Sequence, residues 1–210
     1  MHNNEKNRAP FYGALIFISV QYIVSICIAS FFLPHGDPAA DFIIIFVYYA
    51  VILALPVFLA AGLILKRKPA QYLGFKKNAG KGILYGALIC LFISAVFFAA
   101  NRFVIKLRDF SGRTLWMLSG LVLAGLFEEI PFRGFYQSIL REKLGFWPAN
   151  LIVSALFSAM HLSRALSEVL FLLPLYFGIS IWLGYIYEKA NSLWAPILVH
   201  ACFNVLTAVF

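Results

Sequence analysis

Three short groups of polar residues interrupt apolar stretches of the chain, and each contains residue types that can move protons. In chain order they are Glu128, Glu129 and Arg133; His161; and His200 and Asn204. An ionisable side chain in a membrane span costs at least about 2.5–3.5 kcal/mol by insertion scales, so each of these residues needs a reason. Carboxylates and imidazoles are the usual general acids and bases of hydrolysis. The three groups therefore predict a site for water-activated chemistry.

The first group has the geometry of one paired and one unpaired carboxylate. Glu129 and Arg133 are four residues apart, so in a helix they share a face and can form an ion pair. Glu128 lies about 100° round the helix from Glu129, which leaves it as the freer carboxylate. Such a carboxylate, in a low-dielectric site beside a charged neighbour, suits a general base. Pro131 removes a backbone hydrogen bond beside both glutamates, which predicts a kink or a local opening of the helix.

The other two groups can supply the remaining parts of a hydrolytic site. His161 could help Glu128 to hold and deprotonate a water molecule. His200 and Asn204 are four residues apart and point the same way, so they could donate hydrogen bonds to a developing oxyanion. Structural roles remain open for each group alone: a helix-holding ion pair, a packing histidine, or hydrogen bonds between helices. Together the residue types suffice for peptide hydrolysis by water without a side-chain nucleophile.

Composition indicates that these residues are positioned inside a membrane. Of 210 residues, 62% are hydrophobic and 12% charged, whereas a soluble domain is about half apolar and about a quarter charged. Lipid must therefore be the solvent for most of the surface. The 17 Lys and Arg residues against 9 Asp and Glu residues do not indicate a nucleic-acid partner, because the bases form short runs between apolar segments. Such runs are typical of loops beside membrane spans and anionic headgroups.

Seven apolar segments are predicted to carry the site. Their approximate ranges are 11–33, 41–65, 82–101, 114–139, 149–162, 168–187 and 193–210. A bilayer core of about 30 Å needs about 20 helical residues, so the fifth and seventh segments are short. We expect one all-α, polytopic integral membrane domain over residues 1–210, with the site among its C-terminal four helices. Glycines within the spans, including Gly86, Gly120 and Gly178, predict close helix packing.

The distribution of basic residues predicts the orientation. The first apolar segment is too long for a signal-peptide core and is interpreted as a retained span. With the N-terminus inside, eleven Lys and Arg residues fall on the cytoplasmic side and five on the opposite side, which favours a cytoplasmic N-terminus. The loop over 102–114 alternates charged and apolar residues and is predicted to lie in the membrane interface.

The order of the three motifs resembles a known family. Glu-Glu-x-x-x-Arg, then Phe-x-x-x-His, then His-x-x-x-Asn, on apolar segments of one chain, resemble the CPBP family. That family includes the Ras-converting CAAX endopeptidases, the bacterial Abi proteins and bacteriocin self-immunity proteins. The resemblance covers about residues 114–210, and residues 1–113 agree only in being hydrophobic around a basic loop.

The resemblance implies roles for the first two motifs. The first glutamate and the motif histidine of the family are held to activate the attacking water, and the matching residues here are Glu128 and His161. The second glutamate and the arginine, here Glu129 and Arg133, would organise the site.

The resemblance also implies a role for the third motif and raises the question of a metal. His200 and Asn204 resemble the family's pair that stabilises the oxyanion or positions the water. Members of the family have been described both as metalloproteases and as metal-independent glutamate proteases. Glu128, His161 and His200 could bind zinc, but the His-Glu-x-x-His signature of zincins is absent. We expect no cofactor, with zinc as the alternative.

The expected function is that of a membrane endopeptidase. Its substrate would be a hydrophobic, lipidated or membrane-associated peptide or protein, such as a prenylated CAAX protein, a bacteriocin or a peptide pheromone. A short chain without extra domains favours a bacterial plasma membrane. Two alternatives remain: an immunity or scaffold protein that keeps the fold without turnover, and a small proton-coupled transporter, for which the absence of an inverted repeat is unfavourable.

Overall fold

The computed structural model describes residues 8–28, 37–101, 112–161 and 166–210. These residues form helices joined by short turns, and none of them forms a β-strand. In chain order the helices, with π marking π-helical turns, are α1 (Arg8–Ile28), α2 (Pro38–Val47), π1 (Tyr48–Ala54), α3 (Leu55–Leu59), π2 (Ala60–Ile64), α4 (Pro69–Tyr72), α5 (Ala79–Ala100), α6 (Gly112–Glu129), π3 (Ile130–Gln137), α7 (Ser138–Leu144), α8 (Phe146–Ala159), α9 (Leu166–Ala190) and α10 (Trp194–Val209).

Length and composition make this a polytopic membrane protein. Four helical runs of the described chain, Ala9–Ile28, Ala39–Ile64, Ala79–Ala100 and Thr114–Leu144, are long and apolar enough to cross a membrane. The helix α9 has 25 residues, whereas α8 and α10 have 14 and 16. The predicted all-α membrane bundle is thus confirmed, including its two short members.

Some predicted boundaries were wrong or cannot be compared. The fourth predicted segment ends near 139, but the observed run continues through α7 to Leu144. The fifth ends at Ala159 rather than 162, because the chain turns tightly there through a hydrogen bond from the His161 N–H to the Ser158 carbonyl, 3.0 Å. The predicted end of the first segment, at residues 29–33, lies outside the described residues, as does most of the 102–114 segment.

The buried core lies where π3 meets α1, α8 and α10. Phe132 and Phe135 of π3 are fully buried beside Ile18 of α1 and Phe157 of α8. By contrast, α5 presents Leu91 and other large apolar side chains outward, as lipid-facing helices do. The polar motifs therefore sit on helices that are held from several sides, while the apolar surface is left for the bilayer.

The π-helical segment π3 begins directly after the two glutamates. Its second residue is Pro131, which has no N–H for the usual helical hydrogen bond. The helix widens there, and all eight residues of π3 are buried. π-helical turns are frequent at functional sites because they reorient side chains within a continuous helix. The local opening predicted from Pro131 is confirmed.

Gly125 allows α6 and α10 to approach closely. A Cβ atom at this position would lie 2.5 Å from the backbone nitrogen of Ala201 and 2.7 Å from its Cα atom. Gly86 similarly faces the backbone of Ala195 at 3.1 Å, which confirms the packing role predicted for it. The prediction was wrong for Gly120 and Gly178, where an added Cβ meets no atom within 4 Å among the described residues.

We expect Gly125→Ala to reduce activity strongly. The added methyl group must move α10 away from α6, and the two helices carry Glu128 and His200. Overpacking of this kind costs about 1–3 kcal/mol, and a shift of about 1 Å in a catalytic arrangement can cost about 10²-fold in rate. Gly120→Ala, on the same helix and facing open space, is the matched control. Equal turnover and equal melting temperature of the two variants would contradict the prediction.

Candidate active site

A buried ion pair joins α6 to π3 and to α9. Arg133 Nη1 donates to Glu129 Oε1 at 3.0 Å, and both side chains are fully buried. Arg133 Nη2 donates to the carbonyl and to the hydroxyl oxygen of Ser180, at 2.9 and 2.7 Å. The ion pair predicted from the four-residue spacing is confirmed, and the arginine also holds α9 in place.

The same glutamate orients a histidine of α10. His200 Nδ1 lies 2.7 Å from Glu129 Oε1. Because an ionised carboxylate only accepts hydrogen bonds, Nδ1 is assigned the proton and acts as the donor. The other ring nitrogen, Nε2, is then available to the space beyond the ring. The sequence linked His200 to Asn204; the structure adds Glu129 as its direct partner, 71 residues away in the chain.

Glu128 is the carboxylate that Arg133 does not engage. It is 7% exposed, and among the described residues it takes part in no ion pair. Its Oε1 atom accepts a hydrogen bond from the hydroxyl of Tyr49 in π1, with an O···O distance of 3.2 Å. The prediction that Glu128 would be the freer of the two glutamates is confirmed.

His161 lies in the turn that follows α8, not on the helix itself. Its Nδ1 atom is 3.0 Å from the carbonyl oxygen of Phe157. A carbonyl only accepts, so Nδ1 is assigned the proton and Nε2 keeps a lone pair that can receive one. The ring stacks on Tyr176 of α9, with centroids 4.0 Å apart and planes 19° apart. The imidazole is therefore fixed as a potential base.

Phe157 explains why an aromatic residue stands four positions before His161. Its ring centroid is 5.1 Å from that of His161 and 5.7 Å from that of His200. The guanidinium carbon of Arg133 lies 5.0 Å from the same centroid, within cation–π range. One aromatic ring thus packs against Arg133 of the buried ion pair and against both histidines.

A cavity of about 250 Å³ brings the polar motifs together. It is lined by Tyr49, Leu121, Ala124, Glu128, Phe157, His161, Tyr176, Ile179, His200, Phe203 and Asn204. Glu129 and Arg133 are not among the lining residues. They support the lining indirectly, because Glu129 binds His200 and Arg133 binds Glu129. The Asn204 amide donates to the Leu121 carbonyl at 3.3 Å, which leaves its second N–H for the cavity. Carboxylate, imidazole and amide therefore face one small, largely apolar space.

Three side chains of the cavity are of types that can bind a metal ion. Glu128, His161 and His200 line the same cavity. Within the described ranges, however, no three His, Cys, Asp or Glu side chains converge closely enough to hold one ion. The chemistry derived below uses no metal ion.

Sequence reasoning missed the two tyrosines of the site. Tyr49 and Tyr176 lie in apolar segments among 10 tyrosines and 22 phenylalanines, where no spacing singles them out. The site was predicted to lie among the C-terminal four helices, but it also includes Tyr49, which belongs to the second span. Residues 1–113 thus contribute at least one polar group to the cavity.

We expect Tyr49→Phe to lower turnover by about tenfold at unchanged folded yield. The variant removes one hydrogen bond to a charged carboxylate, and such bonds contribute about 1.5–3 kcal/mol. Tyr48→Phe is the control, because the neighbouring hydroxyl donates to the carbonyl of Ser25 at 3.2 Å instead. Initial cleavage rates of equally loaded membranes provide the measurement. Full activity of Tyr49→Phe would show that Glu128 does not need this donor.

Fold and site together define a class: an integral membrane helical protein with a buried Glu/His/Asn cavity. The described residues that line this cavity include no serine or cysteine. Residues 110–206 match the profile of a family described as type II CAAX prenyl endopeptidase Rce1-like. This match includes all three motifs, and over these residues the chain is similar to that family.

The chain is also similar to a curated protein. The chain is 26% identical over 163 residues to YdiL of Bacillus subtilis (strain 168), a protein provisionally named a membrane peptidase. The alignment covers 70% of this chain and 64% of YdiL. The chain thus spans just under two thirds of the relative that it matches.

Proposed function

We propose that the protein is an intramembrane endopeptidase that hydrolyses a peptide bond with a water molecule activated by Glu128 and His161. The observation that carries the proposal is the meeting of these two side chains in one small cavity, with Glu128 left unengaged by Arg133. The family and the name of the relative support a peptidase.

The contacts support a two-step hydrolysis. Water attacks the carbonyl carbon of the scissile bond while its proton passes to Glu128, or to Nε2 of His161. The negative charge then develops on the carbonyl oxygen, to which the second Asn204 N–H can donate a hydrogen bond. Nε2 of His200 can donate a second hydrogen bond when the imidazole carries a proton on both nitrogens. Collapse of the tetrahedral intermediate breaks the C–N bond, and the protonated base returns its proton to the leaving amine. Glu129 and Arg133 keep His200 oriented throughout.

The walls of the cavity support an apolar substrate. Leu121, Ala124, Ile179 and Phe203 supply most of its non-ionisable lining. A hydrophobic, lipidated or membrane-associated peptide can enter such a space without desolvating charge, whereas a highly charged segment cannot. A prenylated CAAX protein, a bacteriocin and a peptide pheromone all meet this condition. We infer from the basic loops that the N-terminus faces the cytoplasm of a bacterial cell.

The test compares protein and peptide termini in membranes of a deletion strain that expresses either the wild type or Glu128→Gln at equal levels. We expect termini that occur only with the wild type, and they should persist when a chelator is added. Termini that disappear with chelator would contradict the metal-independent step. If no terminus differs and Glu128→Gln also keeps the wild-type phenotype, catalysis is excluded in favour of an immunity or scaffold role.

We also expect His161→Ala to lower turnover by at least about 10²-fold, a typical contribution of a general acid or base. Ser158→Ala is a suitable control, because Ser158 lies in the same turn but donates to the Leu173 carbonyl, 2.9 Å away. Once a cleaved substrate is known, the measurement is its initial rate of cleavage by His161→Ala and by Ser158→Ala. A His161→Ala enzyme as fast as Ser158→Ala would remove His161 from the mechanism.

A further inference from the structure

A second cavity, of about 550 Å³, lies at the opposite part of the bundle and shares no residue with the first. It is formed where the α7–α8 connection, the C-terminal end of α9 and the loop after π2 meet. Its charged lining residues are Arg67, Lys77, Arg141, Glu142 and Glu188. The proposed peptidase mechanism uses none of them.

The charges of this cavity leave an excess of positive groups. Arg141 Nη2 donates to Glu188 Oε1 at 2.7 Å, so these two charges offset each other. Arg67 and Lys77 form no ion pair with any other described residue. They come from a segment that is separate from α7 and α9, and they face a single remaining carboxylate, Glu142. The lining therefore carries one net positive charge, which favours an anionic group.

Aromatic residues place the cavity at the level of a membrane interface. Phe146 lines it, and the Phe146 ring packs on Trp147 and Tyr185, with centroid distances of 4.8 and 6.3 Å. Trp147 is 57% exposed, so the cluster faces the surroundings. Exposed tryptophan and tyrosine at helix ends are typical of the headgroup region of a bilayer.

Hydroxyl groups complete the lining. Ser138 Oγ and Tyr187 Oη lie 2.9 Å apart at the wall. The Tyr72 hydroxyl is buried and finds no hydrogen-bond partner among the described residues. Burial raises the pKa of Tyr72, and nearby Glu142 adds to this rise, so the hydroxyl keeps its proton and remains a donor. Donors beside two cations are the groups that bind phosphate oxygens.

We propose that this cavity binds the phosphate of a phospholipid headgroup through Arg67 and Lys77, with the acyl chains along the Phe146–Trp147–Tyr185 surface. A phosphate outside a lipid would satisfy the cations but not the adjacent exposed aromatic surface. Glu142 also lines the cavity and would accept a hydrogen bond from the ammonium or hydroxyl group of the headgroup. The site is independent of the proposed peptidase activity.

The test measures thermal unfolding of the full chain in a neutral detergent during titration with dihexanoyl phosphatidylglycerol. We expect the lipid to raise the melting temperature of the wild type, with a half-saturating concentration about tenfold higher in Arg67→Gln/Lys77→Gln, equivalent to the loss of one charged hydrogen bond. Lys81→Gln, which changes a basic residue outside the cavity lining at the start of α5, should titrate like the wild type.

Two outcomes would overturn the proposal. One is an equal half-saturating concentration for the wild type and the double variant. The other is an equal rise in melting temperature with inorganic phosphate or glycerol 3-phosphate, which would indicate a site for soluble anions instead of lipid. If the double variant fails to fold, Lys77→Gln alone serves in its place, with an expected shift in the same direction.

Discussion

Glu128→Gln is expected to lower turnover by at least about 10²-fold while the folded yield and melting temperature stay at the wild-type level. Glutamine keeps the size of the side chain and can still accept the hydrogen bond from Tyr49. It cannot take a proton from water, so the attacking hydroxide equivalent forms more slowly, with Nε2 of His161 as the remaining acceptor. A loss of rate without a loss of stability is the result that separates a base from a structural carboxylate.

The matched control for this variant is Glu142→Gln. Glu142 is an exposed glutamate of α7 that lines the second cavity and not the first. We expect its substitution to leave cleavage of the identified substrate unchanged. If Glu128→Gln retained the rate of Glu142→Gln, then the role of Glu128 as the base would have to be abandoned, whatever the role of His161.

Arg133→Ala is expected to destabilise the protein by about 3–5 kcal/mol, the usual result of removing one partner from a buried ion pair. Glu129 would keep only His200 as a partner, and one of its oxygens, Oε2, already has no hydrogen bond among the described residues. The hydrogen bonds to Ser180 on α9 would disappear as well. We therefore expect a large loss of folded yield and, with it, of activity.

The chain provides a matched comparison at its surface. Arg141 and Glu188 form an ion pair of 2.7 Å whose arginine side chain is 52% exposed. Exposed pairs contribute about 0–1 kcal/mol because water and salt screen them, so Arg141→Ala should melt close to the wild type. The measurement is the melting temperature of each detergent-solubilised variant together with its monodisperse yield. Equal melting of Arg133→Ala and Arg141→Ala would contradict the organising role of Arg133.

A double variant distinguishes the effect of the charges of Glu129 and Arg133 from the effect of their side-chain volume. Replacing Arg133 and Glu129 together by methionine and leucine removes both charges and retains most of the volume. Such replacements are often neutral for stability, so we expect the folded yield to recover in part. Activity should not recover, because His200 would lose the carboxylate that holds its ring.

Features within one helix could be predicted from the sequence. The pairing of Glu129 with Arg133, the relative freedom of Glu128 and the opening at Pro131 depend on helical spacing and on one missing N–H, which are local properties. The seven helical segments follow from apolar length for the same reason. Each of these predictions needed only residues within a few turns of one another.

Features that depend on two distant segments could not be predicted. Tyr49 and Glu128 are separated by 79 residues, and His200 and Glu129 by 71. In an apolar span, polar and apolar residues do not alternate in a way that shows which tyrosine faces the protein interior. The side chains that suit the protein core also suit lipid. The packing role of Gly125, as opposed to Gly120, likewise depends on where α10 crosses α6.

The location of Glu129 and Arg133 on one helix has a consequence for biogenesis. A nascent span enters the bilayer before the later spans exist, so α6 and π3 must cross the insertion machinery without α9 and α10. Two separate charges would each oppose insertion by about 2.5–3.5 kcal/mol. Because the two residues are one turn apart, they can neutralise each other inside the isolated helix. Ser180 and His200 belong to helices that are made later. They then form hydrogen bonds with Arg133 and Glu129, whose charges already neutralise each other.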